Sequence, residues 1–389
     1  MFDEIASLSQ DAQRMFEHAA QQLVATGELH QLFDLRLLQR RYELRLPLDQ
    51  LTTLDDVDEP LRSQLEQSYL EACRESGQLL LKADRAREAW MYLRPAGEKK
   101  ALRRWLERAV PREETAEELI ELALREGVDP QRGFAWLLAR NGTCNAITEL
   151  EAACAHLTPV DQQECVAVLV RHLRAELIGN LRRQLQRQGE NLADESSIEE
   201  LLNMVPAPGD EAAYHIDTSH LATTVQFARL LTDRATLAMA IELAEYGNQL
   251  EKDLQYSGQP PFEDLYPTSL LLFRATLGQQ VQQAQEYFQQ RAQEAAAAQA
   301  DQSDESGAPT STAAVETYLI LLDRVGCAER ALDEYSDLVA TNCNLSPHAP
   351  TLLQLAERSG SWDRYLEICR ERGDLLGFAA GQLARSGDA

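Results

Sequence analysis

The chain has 389 residues, 44% of them hydrophobic and 26% charged, a composition that supports a packed core and excludes wholesale disorder. Lys plus Arg number 37 against 63 Asp plus Glu, a formal charge of −26, which argues against dominant non-specific binding to nucleic acid or anionic membrane. No apolar run approaches the roughly 18 residues of a membrane span, the start MFDEIASLSQ is acidic and amphipathic rather than a signal peptide, and seven cysteines without CxxC spacing read as reduced thiols, so the expected compartment is the cytoplasm.

Aromatic residues are only 6%, and no segment alternates Val, Ile and Thr between turn signals, so the predicted fold class is all-α. Residues 1–150 read as N-terminal helical hairpins. Within them, residues 82–112 hold ten basic and four acidic residues with Trp90, Tyr92 and Trp105 interleaved. Such a run is a solvated helix face, an internal partner for acidic helices, a dock for an acidic protein, or least of all a nucleic-acid surface. Thr115 and Glu118 have capping-box spacing before the stripe Ala116, Leu119, Ile120, Ala123 and Leu124. Asn141 and Gly142 read as a helix stop and Thr143 as the next start. Cys144 is then either an inert thiol or a nucleophile activated by the helix terminus.

Residues 151–297 read as a middle section with longer helices. Thr158, Pro159 and Asp161 mark a start, and the helix is predicted to run to about Arg187 with Val166, Leu169, Val170, Leu173 and Leu177 on one stripe. Ser197 and Glu200 repeat the capping-box spacing. A softer boundary is expected near 190–212, and the main one at 298–313, a flexible linker or loop before the C-terminal section 314–389. Gly77, Gly127, Gly142, Gly247, Gly278, Gly326, Gly360 and Gly373 are expected to close helices.

The middle section concentrates the chemistry. His215, Asp217 and His220 lie within six residues at a predicted loop-to-helix entry, and His172 and Glu176 share a face of the preceding long helix. If the two helices pair, these five are ligand types that could converge on a divalent metal. The alternative is capping by Asp217 or Thr218 with histidines bonded to nearby backbone. The loop at 256–267, with Tyr256, Phe262 and Tyr266, either closes a groove with Tyr246 or staples two helices together. Phosphate-loop, dinucleotide and nucleophile-elbow glycine motifs are absent.

Self-comparison at an offset of 34 places Leu321 on Leu355, Arg324 on Arg358, Gly326 on Gly360, Arg330 on Arg364 and Leu332 on Leu366. Tyr287 follows Gly278 by nine residues, as Tyr335 follows Gly326. In this period and its glycine and small-residue pattern the chain resembles the tetratricopeptide repeat family over about 314–385, although Trp362 falls after its glycine rather than near the repeat's start. The resemblance implies an α-solenoid of helical hairpins, elongated and curved, serving as a scaffold or adaptor that binds a protein or peptide on its concave face. Trp90, Trp105, Tyr246, Phe262 and Tyr266 are the candidate partner-binding anchors. The competing expectation is a metal-dependent or acid/base enzyme centred on His215, Asp217 and His220.

Overall fold

Leucine and alanine recurring every three to four residues give each helix one apolar face, which has to be covered by a neighbouring helix. The computed structural model describes residues 2–48, 57–189, 197–204, 215–301, 312–339 and 345–387. Among them every regular element is helical and no strand occurs. The chain divides into two units, Met1–Arg140 and Asn141–Ala389.

The first unit contains α1 (Phe2–Ser7), α2 (Ala12–Thr26), α3 (Leu29–Glu43), α4 (Leu61–Lys82), α5 (Ala86–Leu93), α6 (Lys99–Leu106) and α7 (Ala116–Ile120), which runs into a π-helical turn, Glu121–Arg125. From α2 to α6 each helix packs on the next. Leu32, Leu80, Leu93, Leu102 and Leu106 are wholly inaccessible in the shared core, each stabilising by roughly 1.5–3 kcal/mol through burial. Gly77 does not end a helix as predicted. It sits inside α4, where a Cβ would lie 2.6 Å from Leu93 Cδ2, so its lack of a side chain is what lets α5 approach. Thr115 also departs from the expected capping box. Its hydroxyl accepts from the backbone N–H of Arg112 (3.1 Å) instead of capping α7.

The helix α8 (Pro130–Ala153) crosses the division between the units and is interrupted by Gly142 at φ 76°, ψ 172°, matching the predicted stop and restart at 141–143. The second unit continues with α9 (Pro159–Arg187), α10 (Ile198–Met204), α11 (Thr218–Ala228), α12 (Arg234–Gln249), α13 (Leu265–Thr276), α14 (Val281–Asp301), α15 (Ala313–Arg324), α16 (Ala328–Leu338), α17 (Leu352–Ser359), α18 (Trp362–Arg372) and α19 (Leu375–Ser386). The start and end of α9 fall where the sequence puts them: Thr158 accepts from Asp161 N, Pro159 is the first helical residue and Arg187 the last. Leu169, Leu173, Leu177, Leu181 and Leu185 form its buried stripe, against which α10, α11 and α12 pack. The Ser197–Glu200 capping box is formed in both directions, at 2.8 and 3.1 Å.

From α13 onward each helix contacts the next and, through most of the series, the one after it. Gly326 and Gly360, the two glycines matched by the 34-residue offset, have φ of 78° and 72° and end α15 and α17. Leu321, Leu355, Leu332 and Leu366 all enter one core together with Phe288 of α14. The expected boundary at 298–313 therefore does not separate two cores, because α14 and α15 on either side of it pack together. Residues 302–311, most of that expected linker, lie outside the described residues, as do 190–196 and 205–214 of the softer boundary.

Candidate functional site

His215 is held by residues remote in sequence. Its backbone N–H donates to the Tyr246 hydroxyl (2.9 Å), which is also 3.3 Å from Nδ1, while Nε2 lies 2.6 Å from Gln184 Oε1. An amide oxygen only accepts, so Nε2 carries the proton and Nδ1 accepts from Tyr246. Burial pushes this imidazole below its usual value and the Tyr246 phenol above its own. A neutral ring with both nitrogens engaged has no lone pair to offer a cation.

The five candidate metal residues are not brought together. His172 Nε2 is 3.1 Å from Thr143 Oγ1 and 3.8 Å from Glu176 Oε2. His215 binds Gln184, twelve residues further along α9, about 18 Å at 1.5 Å per residue. Asp217 is the N-cap of α11, its Oδ1 accepting from Ser219 N (2.8 Å), His220 N (3.2 Å) and Ser219 Oγ (2.5 Å). The Ser219 hydroxyl, followed by the backbone amides, holds that carboxyl below its ordinary range. No group of three or more His, Cys, Asp or Glu able to hold a metal occurs among the described residues. The capping alternative describes Asp217, and Cys144 is exposed two positions after Gly142.

Three of the five aromatic anchors are interior. Tyr246, Phe262 and Tyr266 retain 4%, 5% and 1% of their accessible surface, so they cannot present themselves to a partner. The Tyr266 ring lies against Gly247, which sits in the last turn of α12 but is not among the left-handed glycines that cap helices, and a Cβ there would overlap the ring. Phe262 packs on Phe288 at 5.7 Å between centroids. The 256–267 loop is thus a staple, and of its three aromatic residues Tyr256 is the exposed one. Trp90 is half-buried and donates through Nε1 to Glu126 (2.9 Å), tying α5 to the end of the π-helical turn.

Trp105 is different. It lines a surface cleft of about 660 Å³ with Leu81, Lys82, Arg108, Val110 and Arg112, its Nε1 donating to Asp84 (3.2 Å). Elsewhere in the basic run the charges are met internally, Arg85 by Glu88, Arg94 by Glu126 and Arg103 by Asp129. Lys82, Arg108 and Arg112 are exposed and form no ion pair among the described residues.

Sequence reading overlooked a second cavity, of about 280 Å³, formed by the end of α11, the 259–262 turn, α13, α15 and residues 346–348. Arg229 and Arg324 enter it from the C-terminal ends of α11 and α15, where the negative end of the helix dipole favours a cation. Arg229 Nε donates to Ser269 Oγ (3.3 Å) and its guanidinium carbon lies 3.6 Å from the Phe262 ring centroid. Arg324 Nη2 donates to Leu230 O (3.3 Å). Arg229 Nη2 and Arg324 Nη1 are buried without a hydrogen-bond partner among the described residues. Desolvation pushes the two guanidiniums down, to about 9 and about 10, leaving both charged at neutral pH. Glu316 Oε1 accepts from Thr312 Oγ1 (2.6 Å) and Ser346 N (3.2 Å). His348 donates through Nε2 to Gln162 Oε1 (2.7 Å); burial and then Arg324 push its imidazole below the usual value. The only hint in the sequence is an arginine at the end of each of two strongly apolar helices.

No protein-family model matches this chain, and no curated protein matches it.

Proposed function

We propose that the chain is a cytoplasmic scaffold or adaptor built from tetratricopeptide-like hairpins, and that the cleft beside Trp105 receives an acidic peptide segment bearing an apolar side chain. The observation that carries this reading is the lining of that cleft. Leu81, Trp105 and Val110, the last 75% exposed, offer an apolar floor; Lys82, Arg108 and Arg112, without an ion pair among the described residues, share the lining with one carboxylate, Asp84, which accepts from Trp105 Nε1, in a chain whose formal charge is −26. A cationic spot on an anionic protein selects for acidic partners and steers their approach. The successive packing of α13 to α18, each on the next, and the left-handed Gly326 and Gly360 at the matched positions support the repeat-array part of the reading. In that part the array is an α-solenoid with an extended binding surface, since stacked repeats expose such a face.

The test is fluorescence anisotropy with labelled Asp/Glu-rich peptides carrying one Leu or Phe. Binding should weaken as salt rises, because exposed charges are screened. It should fall at least tenfold in Trp105→Ala and in Arg108→Glu/Arg112→Glu. Absence of binding to any such peptide, or binding that both variants leave intact, removes the reading.

A further inference from the structure

We propose that the cavity between α11, α13 and α15 binds a small organic monocarboxylate. Its carboxylate would be held by Arg229 and Arg324, with its apolar body against Leu230, Pro260, Leu272 and Ile320.

Two buried guanidinium nitrogens without acceptors, Arg229 Nη2 and Arg324 Nη1, occur at one cavity. A buried charged donor left unpaired is among the costlier features a fold can carry, and a planar fork is suited to a carboxylate. The two forks are close, since Arg324 Nη2 donates to the carbonyl of Leu230, the residue after Arg229. Of the nearby carboxylates, Glu316 accepts from Thr312 and Ser346 through Oε1, and Asp323, which does not line the cavity, pairs with Arg358 through Oδ2 and keeps a buried, unpartnered Oδ1. Among the described residues neither supplies an acceptor to Arg229 Nη2 or Arg324 Nη1.

The rest of the lining narrows the class. Leu230, Pro260, Leu272 and Ile320 contribute apolar side chains to the lining, which suits a hydrocarbon body rather than a bare inorganic oxyanion. Glu316 lines the same space and opposes a second negative charge, so a monoanion is favoured over a phosphate ester or a dicarboxylate. The volume, about 280 Å³, is nearly twice that of an engineered apolar cavity of roughly 150 Å³ that takes up benzene. A benzoate- or hexanoate-sized molecule fits that scale.

The experiment is isothermal titration calorimetry of the full chain with sodium benzoate, sodium hexanoate, benzyl alcohol and inorganic phosphate. At least one carboxylate should bind one-to-one with a Kd at or below about 1 mM, and benzyl alcohol should give no saturable heat. Arg324→Met should weaken that binding at least tenfold while leaving thermal stability equal or raised, since it removes a buried unpaired charge. A merely structural arginine would lower stability instead. Ile320→Trp, which fills the cavity and leaves both arginines in place, should also abolish binding and covers the case in which Arg324→Met fails to fold. The proposal is overturned if neither carboxylate binds up to ~10 mM. It is equally overturned if benzyl alcohol or phosphate binds as well as the carboxylates, or if every variant that folds binds like the parent.

Discussion

The guanidinium of Arg229 stacks on the face of Phe262, 3.6 Å from the ring centroid, and Phe288 packs on the same ring. A desolvated cation over an aromatic face contributes about 2 kcal/mol. Phe262→Leu should therefore cost about 1.5–3 kcal/mol, combining that contact with the packing lost around a smaller side chain. Tyr256→Leu in the same loop, where the ring is 49% exposed, should stay within roughly 0.5 kcal/mol. Urea denaturation of the two variants makes the comparison, and equal effects would show that Phe262 does not anchor the loop.

Two glycines within helices should respond to alanine with opposite signs. At Gly247 a Cβ would overlap the Tyr266 ring, so Gly247→Ala should destabilise by about 1–3 kcal/mol. At Gly179, inside α9, nothing lies within 4 Å of the added carbon, and Gly179→Ala should stabilise by roughly 0.5–1 kcal/mol. Thermal melts of the pair decide it; a stabilising Gly247→Ala would mean that α12 and α13 are not in close contact.

His215 acts as a clamp between α9 and α12 through Gln184 and Tyr246. His215→Ala should lose about 1–3 kcal/mol, the cost of leaving buried partners unsatisfied. The loss should be the same with EDTA or with added zinc. A zinc-dependent rise in melting temperature that disappears in His215→Ala/His220→Ala would restore the metal-site expectation.

Acid should weaken the fold in two separate windows. The imidazoles of His215 and His348 are held below their usual value of 6.5, so the unfolded chain takes up these protons first. Above that range both states hold the rings neutral and nothing is lost; below about 6.5 the unfolded chain gains protons that the folded one refuses, so stability falls as pH drops toward the folded values. Glu88 is held down to about 2 by Arg85 and then His30. The stability it contributes is full above its usual 4.5 and is lost as pH falls toward 2. Urea midpoints measured from pH 7.5 to 4 should decline from 6.5 downward, and His215→Asn should flatten that first decline. An unchanged profile would place the titration elsewhere.

Local features were legible where one side chain decides the geometry. The cap at Thr158, the Ser197–Glu200 box and the repeat glycines Gly326 and Gly360 depend on neighbours within four residues. Thr115 was misread because the turn before α7 competes for its hydroxyl. Gly77 and Gly247 were misread because a glycine that makes room for another helix looks, in sequence, like one that ends its own. Long-range relationships were not legible. His215 reaches partners 31 residues away on both sides, and Arg324 bonds the carbonyl of Leu230, next to Arg229, across 94 residues. Neither leaves a periodic trace.

The two neutral histidines also share a helix. His348 donates to Gln162 and His215 to Gln184, both on α9 and 22 residues, or about 33 Å, apart. The helix is thus moored at each end by the same kind of tie, an imidazole N–H on a glutamine carbonyl, and mild acid penalises both moorings over the same pH range. Amide exchange along α9 should accordingly lose protection at its two ends in step as pH falls, while its middle, sealed by Leu169, Leu173 and Leu177, stays closed until the whole unit opens.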